Sequence, residues 1–287
     1  MQPQSPNLPR SELAGSELAR SQVARALTIA SSDSGGGAGI QADLKAFARC
    51  GVHGMSAIVA LTAQNTLGVS AIHQCPPEFV AAQLAAVFAD LPPAAVKTGM
   101  LFSEPIIATV AAALAGRQLP LVLDPVMVAS SGARLLEPAA VSALVGLLFP
   151  LATVITPNLM EAQALTGLDT EDRHRLTEAL VAMGAPAALV TGGHGARPVD
   201  HLLADGVHFD IAVTRHDRAA THGAGCTHSA ALAACLARGD PVQLAARRAA
   251  LVAGSAVEHG LVGIGAGDGP VDVLDVASFS PPEPRQR

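Results

Sequence analysis

The chain has 287 residues, of which 50% are hydrophobic and 15% charged, so it can bury a large core and global disorder is excluded. Its net charge of −6 and its 2% aromatic content, with no Trp or Tyr, argue against a nucleic-acid partner, because such partners need basic surfaces and stacking rings. No apolar run reaches the roughly 18 residues of a membrane-spanning helix.

The cysteines, the histidines and the composition of the two ends narrow the possible class of protein further. The four cysteines, at positions 50, 75, 226 and 235, form no C-x-x-C pair and no zinc spacing, which predicts free thiols in a reducing cytoplasm. The ten histidines are scattered, and His216, His222 and His228 recur at an interval that matches no metal-ligand spacing. Residues 1–24 are polar and lack a signal peptide's apolar core, so we expect a mobile tail or an over-long start. We expect a single domain over residues 25–279 and a frayed end over 280–287.

From residue 26 onward, short apolar runs alternate with longer amphipathic ones. The predicted strands are residues 26–30, 55–61, 94–97, 120–123, 153–155 and 187–190, with a hairpin over 199–213 that turns at Asp205 and Gly206. The predicted helices are residues 40–50, 77–91, 104–115, 138–148, 159–165, 171–183, 227–238 and 241–259, and residues 31–39 form a Gly-rich loop. This alternation predicts an α/β fold with a mostly parallel sheet covered by helices on both faces.

The stretch from Thr221 to Thr227 (THGAGCT) is the strongest candidate for a functional loop. Gly223 and Gly225 allow a tight turn, and a helix rich in Ala and Leu starts within the loop. Free N–H groups and the helix dipole make such an N-terminus an anion site. Cys226 would lie in that positive field, which lowers the pKa of a thiol. The alternative is a Gly-rich turn with a buried helical cysteine.

Polar residues also cluster just after the predicted strands, where the carboxyl ends of a parallel sheet face one ligand-binding crevice. Turns favour Gly, Asn, Asp and Pro at such positions, but they do not need Gln, Lys or Met. The clusters are residues 31–33 (SSD), 62–65 (TAQN), 97–100 (KTGM), 124–125 (DP), 156–158 (TPN) and 191–194 (TGGH). Their joint recurrence favours one site lined by all of them.

Standard nucleotide and hydrolase motifs are missing from the sequence. The chain has no G-x-x-x-x-G-K-[ST] and no G-x-S-x-G, and Ile40 occupies the third glycine position of a G-x-G-x-x-G-like run. A Walker-type P-loop is therefore excluded, and a Rossmann dehydrogenase or a serine hydrolase has little support.

Six blocks of sequence occur in the order found in one enzyme family: residues 32–45 (SDSGGGAGIQADLK), 63–66 (AQNT), 97–101 (KTGML), 124–127 (DPVM), 156–162 (TPNLMEA) and 221–227 (THGAGCT). Together they closely resemble bacterial hydroxymethylpyrimidine/phosphomethylpyrimidine kinases of thiamine biosynthesis. The resemblance implies a ribokinase-like, three-layer α/β/α sandwich. It also implies an ATP- and Mg²⁺-dependent cytoplasmic kinase, a homodimer, that phosphorylates 4-amino-5-hydroxymethyl-2-methylpyrimidine and then its monophosphate.

The resemblance assigns roles to individual residues. The positions that would contact the pyrimidine are Gln64, Asp43, Ser31, Ala38, Met100 and Val126. Those that would bind ATP or its phosphates are Asn158, Thr191, Gly193, Thr221 and Lys97, and those that would hold Mg²⁺ or its waters are Asp124 and Glu161, with Asn158. The amides of Gly223, Ala224 and Gly225 would hold the transferred phosphoryl group, and Cys226 would take the hydroxyl proton.

Simpler interpretations of single residues stay open at this point. Asp43 could be a surface carboxylate on a helix, Gln64 a turn residue and Glu161 an exposed residue in a first helical turn. His228 replaces a leucine of the family and could lie on a hydrated helix face.

The chain also departs from the family at functional positions. Ser31 replaces a glycine, and Ser130 and Thr191 stand where lysines are common, so charge at the phosphates would come from Lys97 or Mg²⁺. Two other functions remain as alternatives. One is a pyridoxal/pyridoxine kinase on the same fold, although Gln64 and residues 63–66 favour the pyrimidine. The other is a catalytically silent pyrimidine-binding regulator, which the missing lysines motivate.

Overall fold

The computed structural model describes residues 23–127, 138–193, 198–216 and 219–280. Over these ranges the strands are β1 (Arg25–Asp33), β2 (His53–Asn65), β3 (Gly68–Gln74), β4 (Ala95–Thr98), β5 (Leu121–Leu123), β6 (Val154–Ile155), β7 (Ala187–Val190), β8 (Val199–Ala204) and β9 (Val207–Ala212). The helices are α1 (Gly39–Arg49), α2 (Pro77–Asp90), α3 (Glu104–Leu114), α4 (Pro138–Ala143), α5 (Leu159–Thr166), α6 (Arg173–Ala182), α7 (Ala224–Ala237) and α8 (Val242–Glu258).

The strands form one sheet in the order β3-β2-β1-β4-β5-β6-β7-β8-β9. From β2 to β7 neighbouring strands run parallel. The outer strands pair antiparallel: β3 with β2, β8 with β7, and β9 with β8. The predicted α/β fold with a mostly parallel sheet is therefore confirmed, and so is the hairpin turning at Asp205 and Gly206.

Helices cover both faces of the sheet and enclose two apolar cores. Helices α1, α7 and α8 pack on one face around Phe47, and α2 to α6 pack on the other around Phe149. The middle of α7 is made of small residues, and the side chains from Ala230 to Ala234 are all 0% exposed. Because alanine has almost no side chain, this helix lies close against the sheet and against α8. The three-layer α/β/α arrangement is thus confirmed.

Two elements differ from the sequence-based prediction at the sheet edge. Strand β2 continues beyond residue 61 to Asn65, and β3 was not predicted at all. Strand β3 is an edge strand with no fully buried residue, so its sequence (GVSAIHQ) lacks the continuous apolar run of a central strand. The predicted cluster over residues 62–65 consequently lies within the last residues of β2 and not after it.

Helix boundaries differ in two places. Helix α7 begins at Ala224, three residues before the predicted start at Thr227, which places Cys226 inside the first turn. The predicted helix over residues 138–148 is α4 followed by a π-helical turn over Leu144–Leu148 and a short 3₁₀ turn over Phe149–Leu151.

Some expectations fall on parts of the chain that the structure does not describe. These are residues 1–22 of the predicted tail, residues 281–287 of the predicted frayed end, Ser130, and His194 of the cluster over residues 191–194. Among the helices in the described ranges, none has the length and apolar character needed to cross a bilayer.

Candidate active site

The anion loop, which we define as Thr221–Cys226, is fixed by a close contact between two glycine-rich segments. Gly223 caps α7 with φ of 86°, and a Cβ at this position would lie 1.8 Å from the Gly37 carbonyl oxygen, so only glycine fits. The Ala224 N–H donates to the Thr221 carbonyl at 3.0 Å. The amides of Gly225 and Cys226 follow in the first turn, where a helix offers them no acceptor of its own. The N–H groups of Gly225 and Cys226 are therefore free to bind an anion, whereas the Ala224 N–H is already engaged.

Asp33 ties the anion loop to the glycine-rich segment after β1. Its carboxylate accepts N–H groups from Gly35 (2.7 Å), Gly37 (3.0 Å) and Ala38 (2.8 Å). The Nε2 of His222 lies 3.0 Å from the same carboxylate. Burial would raise the pKa of Asp33, but the hydrogen bonds from His222 and the amides outweigh it and lower the pKa. Asp33 and His222 lie in recognised blocks, yet sequence reasoning gave neither a role.

A third segment holds the anion loop from outside. The Asp268 carboxylate accepts the Thr221 N–H and hydroxyl, each at 2.9 Å. One residue earlier, the Gly267 N–H donates to the Thr66 hydroxyl at 3.2 Å, next to the end of β2. Thr221 is therefore held through its side chain as well as its backbone. The Gly-rich run after α8 carried no prediction, because its only local signal is turn composition.

Beneath the anion loop lies a buried ion pair between Lys97 and Asp43. Both side chains are 0% exposed, and Lys97 Nζ lies 2.8 and 3.0 Å from the two Asp43 oxygens. The Thr28 hydroxyl donates to Asp43 at 2.6 Å, and Asp124 lies 3.7 Å from Lys97 Nζ. Burial alone would lower the pKa of Lys97, but Asp43 and the neighbouring acids raise it, so the amine stays charged. The surface-carboxylate interpretation of Asp43 is thus wrong, and the amine of Lys97 faces carboxylates rather than the open loop.

Cys226 lies above this ion pair and is half-buried. Burial raises the pKa of its thiol to about 12; Lys97 opposes that shift, while Asp43 and Asp124 add to it. The prediction of a lowered thiol pKa is therefore wrong. The helix start does lie at Cys226, but loss of solvent and two nearby carboxylates outweigh its favourable field.

Asp124, directly after β5, and Glu161, in the first turn of α5 after β6, form an acidic pair. Glu161 is only 9% exposed, so the expectation of an exposed first-turn residue is wrong. It closes a capping box on α5: its carboxylate accepts the Asn158 N–H at 3.0 Å, while its own N–H donates to the Asn158 side chain at 2.9 Å. Burial, and then the charge of Asp124, raise the pKa of Glu161 to about 8. Two neighbouring carboxyl groups offer the oxygen ligands that a hard divalent cation such as Mg²⁺ prefers.

The residues assigned to the pyrimidine fall into an apolar and a polar group. Met100 packs with Ala60 and Val126 in a small cluster of its own, and the Ser31 hydroxyl donates to the Met100 carbonyl at 3.2 Å. The β1–β2 register shifts next to Ser31, as the β2–β3 register shifts next to Gln64. Such irregularities re-aim side chains at sheet ends.

Gln64 and Ala38 belong to the polar group. The Gln64 Oε1 accepts the Thr62 hydroxyl at 3.1 Å, and its Nε2 lies 3.3 Å from His222 Nε2. Gln64 is a strand residue, so its interpretation as a turn residue is wrong. The Ala38 N–H is taken by Asp33, and Ala38 caps α1.

Three of the five residues assigned to ATP, Asn158, Thr191 and Gly193, lie just after β6 and β7, whereas Lys97 and Thr221 lie beneath and in the anion loop. Asn158 and Thr191 form a parallel bridge, and Gly193 is exposed just beyond it. Asp200 holds this turn: one carboxylate oxygen accepts the Gly192 N–H at 2.6 Å and the other lies 3.1 Å from His228 Nε2. His228 is 5% exposed, so the expectation of a hydrated helix face is wrong.

A family model described as "Phosphomethylpyrimidine kinase" matches residues 33–272, which include both glycine-rich segments and the acidic pair. The chain belongs to the phosphomethylpyrimidine kinase family. It is therefore a kinase, an enzyme that transfers a phosphoryl group from ATP. The resemblance found in the sequence blocks is confirmed.

Individual members of the phosphomethylpyrimidine kinase family and their structural relatives agree with this. The hydroxymethylpyrimidine/phosphomethylpyrimidine kinase of Haemophilus influenzae is 49% identical over 262 residues, covering 88% of this chain and 97% of that protein. The phosphomethylpyrimidine kinase structure from Clostridium difficile is 39% identical with a TM-score of 0.71, covering 79% of this chain and 96% of that one. An ADP complex of Bacillus subtilis pyridoxal kinase is 36% identical with a TM-score of 0.82, covering 90% of this chain and 100% of that one.

Proposed function

We propose that this kinase phosphorylates 4-amino-5-hydroxymethyl-2-methylpyrimidine and its monophosphate, using ATP and Mg²⁺, in thiamine biosynthesis. The observation that carries the proposal is the Asp33–His222 contact of 3.0 Å, which brings the anion loop against the edge where Gln64 lies. The helix start that would bind phosphate thereby lies beside an amide that would suit a heterocycle. The Haemophilus influenzae relative, whose name carries both substrates, supports the choice of pyrimidine.

Gln64 would recognise the pyrimidine ring. If His222 Nε2 donates to Asp33, it cannot also accept from the Gln64 Nε2 that lies 3.3 Å away. The amide protons of Gln64 are then available to a ring nitrogen of the substrate. Met100 and Val126 supply an apolar wall nearby, which suits the flat face of the heterocycle.

The first turn of α7 would hold the transferred phosphoryl group. Phosphoryl transfer depends on positioning and on neutralising charge more than on covalent chemistry. The free amides of Gly225 and Cys226 supply fixed donors in the field of the helix N-terminus. Asp124 and Glu161 would hold Mg²⁺, which when bound offsets the negative charge of the phosphates. Thr191 stands where family members often carry a lysine, and Lys97 is held by Asp43. The positive charge at the phosphates would therefore come from the helix start and from the cation bound by the acidic pair.

Cys226 would accept the proton of the attacking hydroxyl group. A thiol whose pKa is about 12 is mostly protonated at neutral pH, so the reactive form is a minor thiolate population. That thiolate is a strong base and Lys97 lies close enough to lower its pKa, as the charge effect on Cys226 indicates. Proton removal by Cys226 then becomes easier as the pH rises.

The experiment that tests the proposed function is a substrate panel with the purified protein. We expect ADP release with the hydroxymethylpyrimidine and with its monophosphate, in the presence of Mg²⁺, and slower release with pyridoxal. Transfer to pyridoxal but not to the pyrimidine would contradict the proposal in favour of the second candidate, pyridoxal kinase, which the Bacillus subtilis structural relative favours. Binding of the pyrimidine without ADP release would instead support a silent regulator.

The assembly state belongs to the same proposal. We expect a single domain over residues 25–279 and a cytoplasmic homodimer. Exposed apolar side chains at the β2–β3 hairpin, Leu61 at 46% and Leu67 at 69%, offer a contact surface for a second copy. Light scattering on wild type and on Leu67→Asp measures this: a dimer that becomes a monomer in the variant is the expected result.

A further inference from the structure

Three histidines come together at the β8–β9 hairpin: His201 and His208 belong to the hairpin itself, and His174 comes from α6. On one face of the hairpin, His201 pairs directly with Asp210, and His208 lies two residues before Asp210. His174, in the first turn of α6, lies against both rings: it is tilted against His201 with ring centroids 3.9 Å apart and stacked on His208 at 4.5 Å. We propose that this cluster, His174–His201–His208, binds a borderline transition-metal ion such as Zn²⁺.

The spacing of the nitrogens is close to that of a metal site. One potential ligand atom of each histidine lies within 4.8 Å of the other two. His201 Nε2 and His208 Nδ1 are 2.9 Å apart. Two nitrogens bound tetrahedrally at about 2.0–2.1 Å from one zinc ion lie roughly 3.3 Å apart, so the pair needs to open by only a few tenths of an ångström.

The outer nitrogens of His201 and His208 each face a carboxylate. Asp210 lies 2.5 Å from His201 Nδ1, and Glu178, one turn after His174 on α6, lies 3.5 Å from His208 Nε2. In metal sites the ring nitrogen that points away from the ion usually donates to such a carboxylate. This arrangement fixes Nε2 of His201 and Nδ1 of His208 as the metal ligands.

The metal-free hydrogen-bond pattern is less complete than the metal-bound one. If His201 Nδ1–H donates to Asp210, then His201 Nε2 accepts the Nδ1–H of His208, and neutral His208 has no proton for Glu178. When a metal binds both inner nitrogens, the His208 proton moves from Nδ1 to Nε2 and is donated to Glu178. Both outer nitrogens then have acceptors, and no proton is gained or lost by the three rings.

The ligand class follows from the donors and their exposure. Three imidazoles suit Zn²⁺, Co²⁺ or Ni²⁺, whereas Mg²⁺ and Ca²⁺ prefer oxygen ligands. His201 is 1% exposed but His174 is on the surface, so an ion could reach the cluster from solvent, which would supply a water as its fourth ligand. The site is separate from the active site: His201 faces α6, while Asp200 beside it faces α7 and holds Gly192.

The test is Zn²⁺ binding to the full-length protein, free of any polyhistidine tag, in excess Mg²⁺. We expect calorimetry to give one Zn²⁺ per chain, Co²⁺ to give the visible absorption of a four-coordinate site, and Zn²⁺ to raise the melting temperature. His174→Asn should weaken Zn²⁺ binding by at least about tenfold, since even an outer partner is worth 10–100-fold. His53→Asn, an exposed histidine on the far side of the sheet order, is the matched control and should bind Zn²⁺ as wild type does.

Opposite results are equally clear. Wild-type protein that binds no Zn²⁺ under these conditions overturns the site, as does unchanged affinity in both His174→Asn and His208→Asn. Equal losses in His174→Asn and His53→Asn also overturn it, because binding then lies elsewhere. Since His174 is exposed, its variant should fold even if His208→Asn does not, and unchanged Mg²⁺-dependent phosphoryl transfer shows that it has.

Discussion

At the scale of single residues, Cys226 gives the sharpest test because its protonation state is unfavourable for its proposed role. Below a pKa of about 12 the thiolate fraction rises tenfold for each pH unit. If the thiolate is the base, kcat/KM, which reports ionisation in the free enzyme, should rise by about tenfold per unit from about pH 6 to about pH 9. Cys226→Ala should lower kcat by roughly 10²–10⁴-fold and remove the part of this dependence that belongs to the thiol, leaving that of Glu161, whose pKa is about 8.

The ratio of wild type to Cys226→Ala at each pH cancels any titration of the substrate itself. A ratio that stays constant with pH means that Cys226 positions the hydroxyl group and does not remove its proton. The two readouts, the size of the loss and its slope with pH, thus separate a base from a merely structural thiol.

Gln64 leads to a different prediction, because its proposed partner is the pyrimidine ring and not the transferred phosphoryl group. Gln64→Ala should raise the KM for the pyrimidine by about 3- to 10-fold, for the ~1 kcal/mol of one neutral hydrogen bond, while kcat changes little. Steady-state kinetics measures both constants. Gln243→Ala, at an exposed position on α8, is the matched amide control. A wild-type KM in Gln64→Ala would take Gln64 out of the pocket.

At the scale of elements, the contact between the anion loop and the segment after β1 can be tested with a pair of glycines. Gly223 (φ 86°) and Gly239 (φ 89°) have nearly the same φ, but of the two only Gly223 has a neighbour at the position of an added Cβ. Gly239→Ala should lose about 1–2 kcal/mol of stability and keep its activity. Gly223→Ala should lose more stability and at least about 100-fold in kcat/KM, the loss expected for a displaced anion donor.

Urea unfolding and kinetics on the two variants measure these effects. Equal activity in both would show that catalysis tolerates separation of the two segments. Equal stability would show that the Gly37 carbonyl moves aside at no cost.

The same elements show what local sequence can and cannot predict. Strands such as β1 and β7 are buried on both faces, so their apolar runs were visible, whereas β3 at the edge has a mixed pattern and was missed. The start of α7 was misplaced because Gly-Ala-Gly is typical of a loop, and only the contact with Gly37 makes Gly223 a helix cap. Asp33 and His222 are 189 residues apart, and no local pattern indicates that they meet.

Electrostatics was the least predictable property of the site. The helix start at Cys226 could be read from composition, and it is there. The burial of Cys226 beside Asp43 and Asp124 depends on how α1, β5 and α7 pack, and burial is the larger effect on its pKa. A sequence motif therefore predicted the position of the thiol correctly and its acidity wrongly.

At the scale of the whole molecule, the single-domain expectation leads to a truncation experiment. Strand β1 is hydrogen-bonded on both sides, to β2 and to β4, and it begins at Arg25. Deleting residues 2–22 should therefore leave one cooperative melting transition at an unchanged temperature, with unchanged kinetics. Deleting residues 2–33 removes β1 and should abolish cooperative melting. A lower melting temperature or a second transition after the shorter deletion contradicts this domain boundary.

Helix α7 connects the anion loop to the centre of the protein, so mutations in its buried middle should affect the loop. Its first turn holds the proposed phosphate donors, while its middle, from Ala230 to Ala234, is fully enclosed between the sheet and α8. Because the interior is close-packed, a larger side chain there has to displace the helix, and with it the anion loop at the helix start. Alleles that enlarge one of the four alanines in this run should therefore behave as temperature-sensitive loss-of-function mutations, although these alanines lie outside the proposed site.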